Sequence, residues 1–452
     1  MTYVMIDMDC SPMIKNLIKI LFIKLPIYLL YLRLIWFFYM VIIIIMDIGS
    51  IIFDKYILIE RIGEGHFSEV WMCYNFISKK YYAIKIFDHT QFEVFGKEND
   101  ILKKIKNEDC RNCVSYIDSF KCSKYACIVQ ELMVGSLYDI MKKQYPNGFS
   151  SDFIKYAIEE LSNALNDIHT KLKIVHADIK PENILLSGLT IHMETIISKI
   201  NTELSNPKKS KLNIKYVSKL IKRVMKTLNE TDTNDAYNMI DECESNEMEE
   251  TDDVSDIDSI NTDSDIISSH NDMIDRSYIE TDIEMDEHDD VFNIETVVSE
   301  KYINEPHIFL SDFGNFINID DLNGHGDIQT RHYRSPKIIL RLELDTRIDI
   351  WALGCTIYEL YTGKVLFNPH KTGCDTTDIV QLHEIQSILG LFPQKFYDSR
   401  KKYIFFNNKY LLQNKKRINY IGFDNKIKKD LCDHEKYDEK IAKIVKNMLK
   451  YD

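Results

Sequence analysis

His176-Ala177-Asp178-Ile179-Lys180-Pro181-Glu182-Asn183-Ile184-Leu185-Leu186 sets a carboxylate, an amine and a carboxamide close together, then runs into an apolar, strand-like end. Phosphoryl transfer needs this set. A carboxylate orients an attacking hydroxyl, a cation offsets charge on the transferred group, and an amide oxygen holds Mg²⁺. Alone, the run also fits an ordinary polar loop, so its reading turns on partners elsewhere in the chain.

The partners lie on both sides. Upstream, Tyr56 to Ile62 reads as a strand, Gly63 to Ser68 as a turn and Glu69 to Tyr74 as a second strand. Gly63-x-Gly65 in that turn opens backbone N–H groups to phosphates. Phe67 is placed to cover the loop tip, and Val70 to pack on a purine. Lys85 lies in a third strand, Tyr81 to Ile86, and precedes a helical pattern over 92–106 that carries Glu98. A Lys85–Glu98 pair would hold the amine on the nucleotide phosphates. Downstream, Asp312 opens Asp312-Phe313-Gly314 and is a second metal-binding candidate beside Asn183. Further strands are expected near Val114–Phe120 and Ala126–Glu131, giving a five-stranded antiparallel sheet with one helix. After Met133 the pattern is helical: a long helix capped by Ser151 or Asp152 and reaching His169, then helices over Asp345–Thr362, Thr377–Leu389 and Asp438–Leu449.

Taken together, these motifs resemble the eukaryotic protein kinase superfamily over residues 52–187 and 305–452. Gly65 to Trp71, Ile179 to Leu186 and Asp327 to Ser335 resemble the SR-protein kinases, a branch of the group that holds the cyclin-dependent and MAP kinases. The resemblance implies an α+β, bilobal fold, with an antiparallel β-sheet N-lobe on a mainly helical C-lobe and ATP with Mg²⁺ between them. It implies catalytic roles for Asp178, Lys180, Lys85 and Glu98 and metal ligation by Asn183 and Asp312. It assigns ATP binding to Ile62, Gly63, Glu64, Gly65, His66, Phe67, Ser68, Glu69, Val70, Lys85, Glu131 and Met133, with Gln130 as gatekeeper. Lys180 and Thr330 match Ser/Thr specificity, and Asp349 matches the family's anchor for the catalytic loop. The implied activity is transfer of the γ-phosphate of ATP to Ser/Thr hydroxyls of protein substrates. The alternative is a pseudokinase, a binding module or scaffold on the same fold.

The chain departs from the family pattern in places. Ser68 replaces the third loop glycine, and Ala177 replaces the arginine beside the catalytic aspartate. That arginine receives an activating phosphate in many kinases. Between Asp312 and Pro336 the only hydroxyl residues are Thr330, Tyr333 and Ser335, and Arg331 and Arg334 lie among them. The expectation is a constitutively active enzyme. Ser335-Pro336-Lys337 stands where the family has Ala-Pro-Glu, so that glutamate's buried ion pair cannot form. A less stable C-lobe, lacking the final helix, is expected. Asp375, Asp378 and Glu384 are sparse among lysines, so the acid cluster that reads arginine-rich substrates is not evident.

The remaining segments bound the domains. The net charge of −14 is uneven: residues 229–300 hold 26 Asp and Glu against Arg276 alone, a net −25 that leaves the rest near +11. Residues 188–304 read as a disordered insert, basic then acidic and dispensable for catalysis. Within it Val217, Leu220, Ile221, Val224 and Leu228 recur at helical spacing beside a run of lysines, the pattern of a basic amphipathic helix. The N-lobe is assigned to 46–132 and the C-lobe to 133–187 and 305–452. Residues 1–45 are an apolar leader or a membrane segment, with Met46 as an alternative start. The run 25–46 is long enough to span a bilayer. The ten cysteines form no metal-binding spacing, so reduced thiols are expected. The implied setting is cytoplasmic or nuclear, or membrane-anchored if residues 25–46 insert. The implied partners are protein substrates of a monomer, with no direct nucleic-acid binding.

Overall fold

The computed structural model describes residues 46–65, 68–205, 213–244, 297–324, 326–370, 376–398, 405–406, 412, 420–431 and 434–451. The leader at 1–45, with all but Met46 of the candidate membrane run, lies outside them, as do His66 and Phe67 and the acidic stretch 245–296. Among the described residues, no helix is long and apolar enough to cross a membrane.

The N-terminal lobe is a curled antiparallel sheet of six strands: β1 (Ile51–Ile52), β2 (Tyr56–Gly65), β3 (Ser68–Asn75), β4 (Lys80–Asp88), β5 (Tyr116–Lys121) and β6 (Tyr125–Gln130). Their spatial order is β1-β2-β3-β4-β6-β5. The sixth strand is the short β1, which pairs Ile51 with Ile57 and Ile52 with Tyr56. Helix α1 (Phe92–Asn107) lies between β4 and β5. Its apolar stripe of Phe95, Ile101, Leu102 and Ile105 is buried, and Glu98 is buried with it. Alternation within the strands fills two faces. Tyr56, Leu58, Trp71, Cys73 and Ile84 go to one cluster, and Ile57, Ile59, Met72 and Tyr74 go to another.

The second lobe is helical. After β7 (Met133–Ser136) come α2 (Leu137–Gln144) and α3 (Ser151–Asp167), then β8 (Ile174–Val175) and β9 (Ile184–Ser187) around the catalytic-loop sequence. Ser150, one residue earlier than expected, caps α3 by accepting from the Phe153 N–H. The helix leaves through a π turn over Ile168–Leu172. Later elements are α6 (Glu300–Asn304), β10 (Ile308–Leu310), β11 (Ile317–Asn318), α7 (Pro336–Ile339), α8 (Arg347–Thr362), α9 (Thr377–Leu389), α10 (Phe423–Asp430) and α11 (Glu439–Met448). Helix α8 is buried all round, from Ile348 through Thr362, and the lobe packs about it.

The described part of the insert departs from the expected disorder. Residues Ile191–Leu204 form helix α4 and Ile214–Glu244 form helix α5. Met193, Ile196 and Ile200 of α4 and Val217, Leu220, Ile221, Met225 and Leu228 of α5 share one core with Ile57, Ile59, Met72 and Tyr74 of the sheet. The physical reason is the sheet itself. Register sets Met72, Tyr74, Lys85, Phe87 and Ile128 on one face; α1 covers its Phe87 and Ile128 end, and the hairpin covers the β2–β3 end of the same face, apolar surface that must be buried. The lysines noted from sequence, Lys215, Lys219, Lys222 and Lys226, stay exposed on the outer side of α5.

Ile196→Ala and Ile221→Ala, each at a fully buried position, should lower folding stability by about 2–5 kcal/mol. Denaturant midpoints check this; an unchanged midpoint in both would show that the hairpin is a loose appendage.

Candidate active site

The catalytic-loop sequence is held by one buried carboxylate. Asp349, at the start of α8, is fully buried. Its Oδ2 accepts from the His176 N–H at 2.7 Å, and its Oδ1 accepts from the Ala177 N–H at 3.0 Å. His169 Nε2 lies 2.9 Å from the same Oδ2. These bonds fix Ala177 at φ 65°, a left-handed conformation unfavourable to an L-residue. The turn that follows aims Asp178 into the cleft. His176 is locked from the other side, with Nε2 2.9 Å from the Ser311 carbonyl and its ring edge-on to Phe313, centroids 5.0 Å apart.

The structure brings the sequence-predicted polar residues together. Asp178 Oδ1 accepts from the Thr330 hydroxyl at 2.7 Å. Its Oδ2 lies 3.1 Å from Lys180 Nζ and accepts from Asn183 Nδ2 at 3.3 Å. Lys180 also donates to Thr330 Oγ1 at 3.2 Å. Asn183 Nδ2 donates to the Asp178 carbonyl at 2.8 Å, which leaves the amide oxygen as the acceptor that can meet a cation.

Across the cleft, Lys85 on β4 donates to both Glu98 oxygens at 2.8 and 2.9 Å, and to Asp312 Oδ1 at 3.1 Å. Burial works against the charge on Lys85, but the two carboxylates outweigh it and hold its ammonium above the usual lysine range. Burial pushes Asp312 up, and the Lys85 charge and hydrogen bond outweigh it, leaving its carboxyl below the usual range. Asp312 sits at φ 58°, also left-handed. Its side chain stays 42% exposed, so it faces the cleft rather than the core. An ionised carboxylate and an amide oxygen are the hard oxygen donors that Mg²⁺ prefers, so Asp312 and Asn183 fit that ion.

The turn expected to meet nucleotide joins β2 to β3, with Gly63 opposite Val70, Glu64 opposite Glu69 and Gly65 opposite Ser68. Bulges between Leu58 and Glu60 and between Arg61 and Gly63 bend β2 as it approaches Ile62. Gln130 ends β6, Glu131 is exposed between strands, and Met133 opens β7 opposite Ser187 of β9. The linking segment thus lies along the catalytic lobe.

Sequence reasoning left two contributors out of the site and gave a third only a specificity role. Thr330, matched with Lys180 by resemblance, contacts both Asp178 and Lys180 directly. Asn315 reaches Asp178 Oδ2 at 3.5 Å, and nothing local marks it. Ser311 joins the strands by donating to the Asn183 carbonyl from its hydroxyl at 3.0 Å and its N–H at 2.9 Å. The Ser335-Pro336-Lys337 departure has a local solution. Ser335 caps α7, and Lys337 Nζ pairs with Asp345 at 3.1 Å.

Asp349→Asn keeps the size but gives up an acceptor at a buried carboxylate that meets two backbone N–H groups and His169. We expect a loss of about 2–3 kcal/mol in stability with a loop that no longer holds Asp178. Thermal unfolding together with turnover reads both; a variant indistinguishable from wild type in both would refute the anchor role.

A protein kinase domain profile matches residues 56–200 and 298–452, about two-thirds of the chain. A protein named as a serine/threonine kinase, L205, of Acanthamoeba polyphaga mimivirus is 29% identical over 79% of this chain and 76% of its own length. The serine/threonine-protein kinase SRPK of Physarum polycephalum is 26% identical over 80% of this chain and 73% of its own. The human dual specificity protein kinase CLK4 is 25% identical over 89% of this chain and 64% of its own. Among solved structures, a kinase-domain crystal structure overlays with a TM-score of 0.54 at 24% identity, covering 90% of this chain and 93% of that one. With the profile spanning both lobes and broken only over 201–297 between its two segments, the chain belongs to the protein kinase family.

Proposed function

We propose that this serine/threonine protein kinase is active as folded, transferring the γ-phosphate of ATP to protein hydroxyls without a prior phosphate on its activation segment. The observation that carries the reading is the simultaneous engagement of Lys85 with Glu98 and Asp312 while Asp178 is held beside Lys180 and Thr330. Both halves of the machinery are in register in one conformation.

The roles follow from charge and placement. Asp178 accepts the proton-bearing hydroxyl of the substrate and orients its oxygen. Lys180 and Lys85 are the fixed cations that offset charge on the phosphoryl oxygens as it redistributes. Glu98 positions Lys85. The backbone between Ile62 and Val70 covers the phosphates, and the backbone of Glu131 and Met133 meets the adenine. Asn183 and Asp312 would hold Mg²⁺, which supplies charge neutralisation at the phosphates when bound. The relatives carry kinase names, and Lys85, Glu98, Asp178, Asn183 and Asp312 are all in place. The pseudokinase alternative is therefore set aside.

Constitutive activity rests on what replaces the missing arginine at Ala177. Arg334 donates to the Gln329 carbonyl from Nε at 3.1 Å and from Nη2 at 2.9 Å. The Gln329 side chain in turn donates to the Ile348 carbonyl and accepts from the Ser335 N–H. Arg331 pairs with Asp378, and Arg341 pairs with Asp327 at 2.6 Å. Tyr333 is buried and donates to Glu359 at 2.6 Å. Arginines bonded to protein acceptors thus order the segment that phosphate orders elsewhere. The same contacts engage Asp378, so the acids available to read a basic substrate are fewer still. We place the enzyme as a monomer acting on proteins of the cytoplasm or nucleus.

Lys85→Met and Asp312→Asn should each reduce phosphoryl transfer by roughly 100-fold or more while leaving the unfolding midpoint within reach of wild type. Radiolabelled phosphate transfer to a generic protein acceptor is the assay. Near wild-type transfer by either variant would remove that residue from the mechanism. Phosphatase-treated protein should keep its full rate. A rate that falls on treatment, and returns on rephosphorylation of Thr330, Tyr333 or Ser335, would disprove constitutive activity.

A further inference from the structure

Helix α4 is rooted in one lobe and packed on the other. At its root, Gly188 sits at φ 120°, where an added Cβ would meet the Tyr302 ring at 2.6 Å, so the chain turns off β9 only as glycine. The Ile191 N–H donates to the Val297 carbonyl at 3.1 Å, and Thr190 bridges to Val298. Val298 is held in turn by Gln144 of α2, which donates to its carbonyl at 3.2 Å and accepts from its N–H at 2.8 Å. Glu194 pairs with Lys301 at 3.1 Å and accepts from the Tyr302 hydroxyl at 3.3 Å. These partners, at the far end of the insert, are tied to the helical lobe: Val298 lies in its core and Tyr302 packs against it.

The body of α4 packs on the other lobe. Met193, Ile196 and Ile200 pack in the cluster that holds Ile57, Ile59 and Met72 of the sheet, with Leu132 of the linking segment, and Ile62 against it. His192 Nε2 lies 3.0 Å from Glu60 Oε1, a pair only 12% and 22% exposed. Farther along, the Tyr81 hydroxyl donates to Asn201 at 2.8 Å. Glu60 stands on the bulged stretch of β2, two residues before Ile62 and three before Gly63.

From this geometry we propose that α4 is an interlobe strut and that His192, through Glu60, is a positioning residue for the nucleotide-binding turn. The two bulges interrupt the β2–β3 ladder on both sides of Glu60, and the His192–Glu60 bond is a polar tie that fixes the strand there. The strut limits how far the lobes part and holds the turn near the phosphates before nucleotide arrives. Pre-organisation of this kind appears in binding, because a site already ordered loses less entropy when the ligand binds. The inference rests on the kinase reading given above, deepening the account of its nucleotide site.

The test is equilibrium titration of the full chain with a fluorescent ATP analogue and Mg²⁺, alongside turnover at saturating ATP and thermal unfolding. His192→Ala and Glu60→Ala should each weaken nucleotide binding by roughly three- to tenfold, and the double variant should be no weaker than either single one. His192→Gln, which can still donate to Glu60, should restore affinity. Tyr81→Phe, at the same interface but farther from the turn, should leave affinity unchanged. Turnover at saturating ATP should stay within about twofold of wild type. Unchanged affinity in both alanine variants, additive losses in the double variant, or a loss matched by Tyr81→Phe would each overturn the strut. So would loss of affinity only in proportion to a lowered unfolding midpoint, the mark of a merely structural contact. Wild-type protein that binds no nucleotide would overturn the kinase reading itself, a result separate from any of these.

Discussion

Two backbone N–H groups in succession, from His176 and Ala177, end on the two oxygens of the buried Asp349 carboxylate. This bond pair is the constraint on which the site depends. A fully buried carboxylate is costly unless it is hydrogen-bonded, and here His169 adds a third partner on Oδ2. The arrangement forces Ala177 into a left-handed turn, which reverses the chain just before Asp178. Without that reversal Asp178 would not meet Lys180, Asn183 and Thr330 around one point. The anchor comes from α8, the most buried helix of the molecule, so the site inherits the rigidity of the lobe's core.

The opposite wall of the cleft is organised by charge. Lys85 lies between Glu98, which is buried, and Asp312, which is not. Glu98 rides on α1 and Asp312 on the segment between β10 and β11, so one ammonium ties three parts of the chain together. Two carboxylates facing one amine leave the triad with a net negative charge. A Mg²⁺ ion held at Asp312 would relieve that excess and leave Lys85 to meet phosphate.

Much of this was legible in the sequence because it is written in short, dense motifs. Asp178, Lys180 and Asn183 fall within one loop, and Lys85, Glu98 and Asp312 each sit in a recognisable local frame. Strand alternation and helical spacing likewise gave the sheet, α1 and α9 at or near their observed bounds. What was not legible is pairing across distance. The apolar spacing of α5 was visible, but nothing in it says that its partner is the face of β2 and β3 that carries Ile57, Ile59, Met72 and Tyr74, nearly 150 residues earlier. Composition misled here as well. The acidic run dominates the average of residues 188–304 and hides the fourteen-residue helix at its start. Asn315 was missed, and the Thr330 contact with Asp178 was not foreseen, for the same reason: each is a contact with no local signature.

The placement of the hairpin has a consequence for how the chain is made. Strands β2 and β3 leave the ribosome early, with Ile57, Ile59, Met72 and Tyr74 ready to form one face of a sheet. The residues that cover this face, from Met193 to Leu228, are synthesised only after β9 of the other lobe. For more than a hundred residues of synthesis the first lobe can pair its strands but cannot bury that face. An exposed apolar sheet face on a nascent chain is the species that invites chaperones or aggregates. The two lobes are therefore not successive folding units, and completion of the first waits on sequence that lies beyond the catalytic loop of the second.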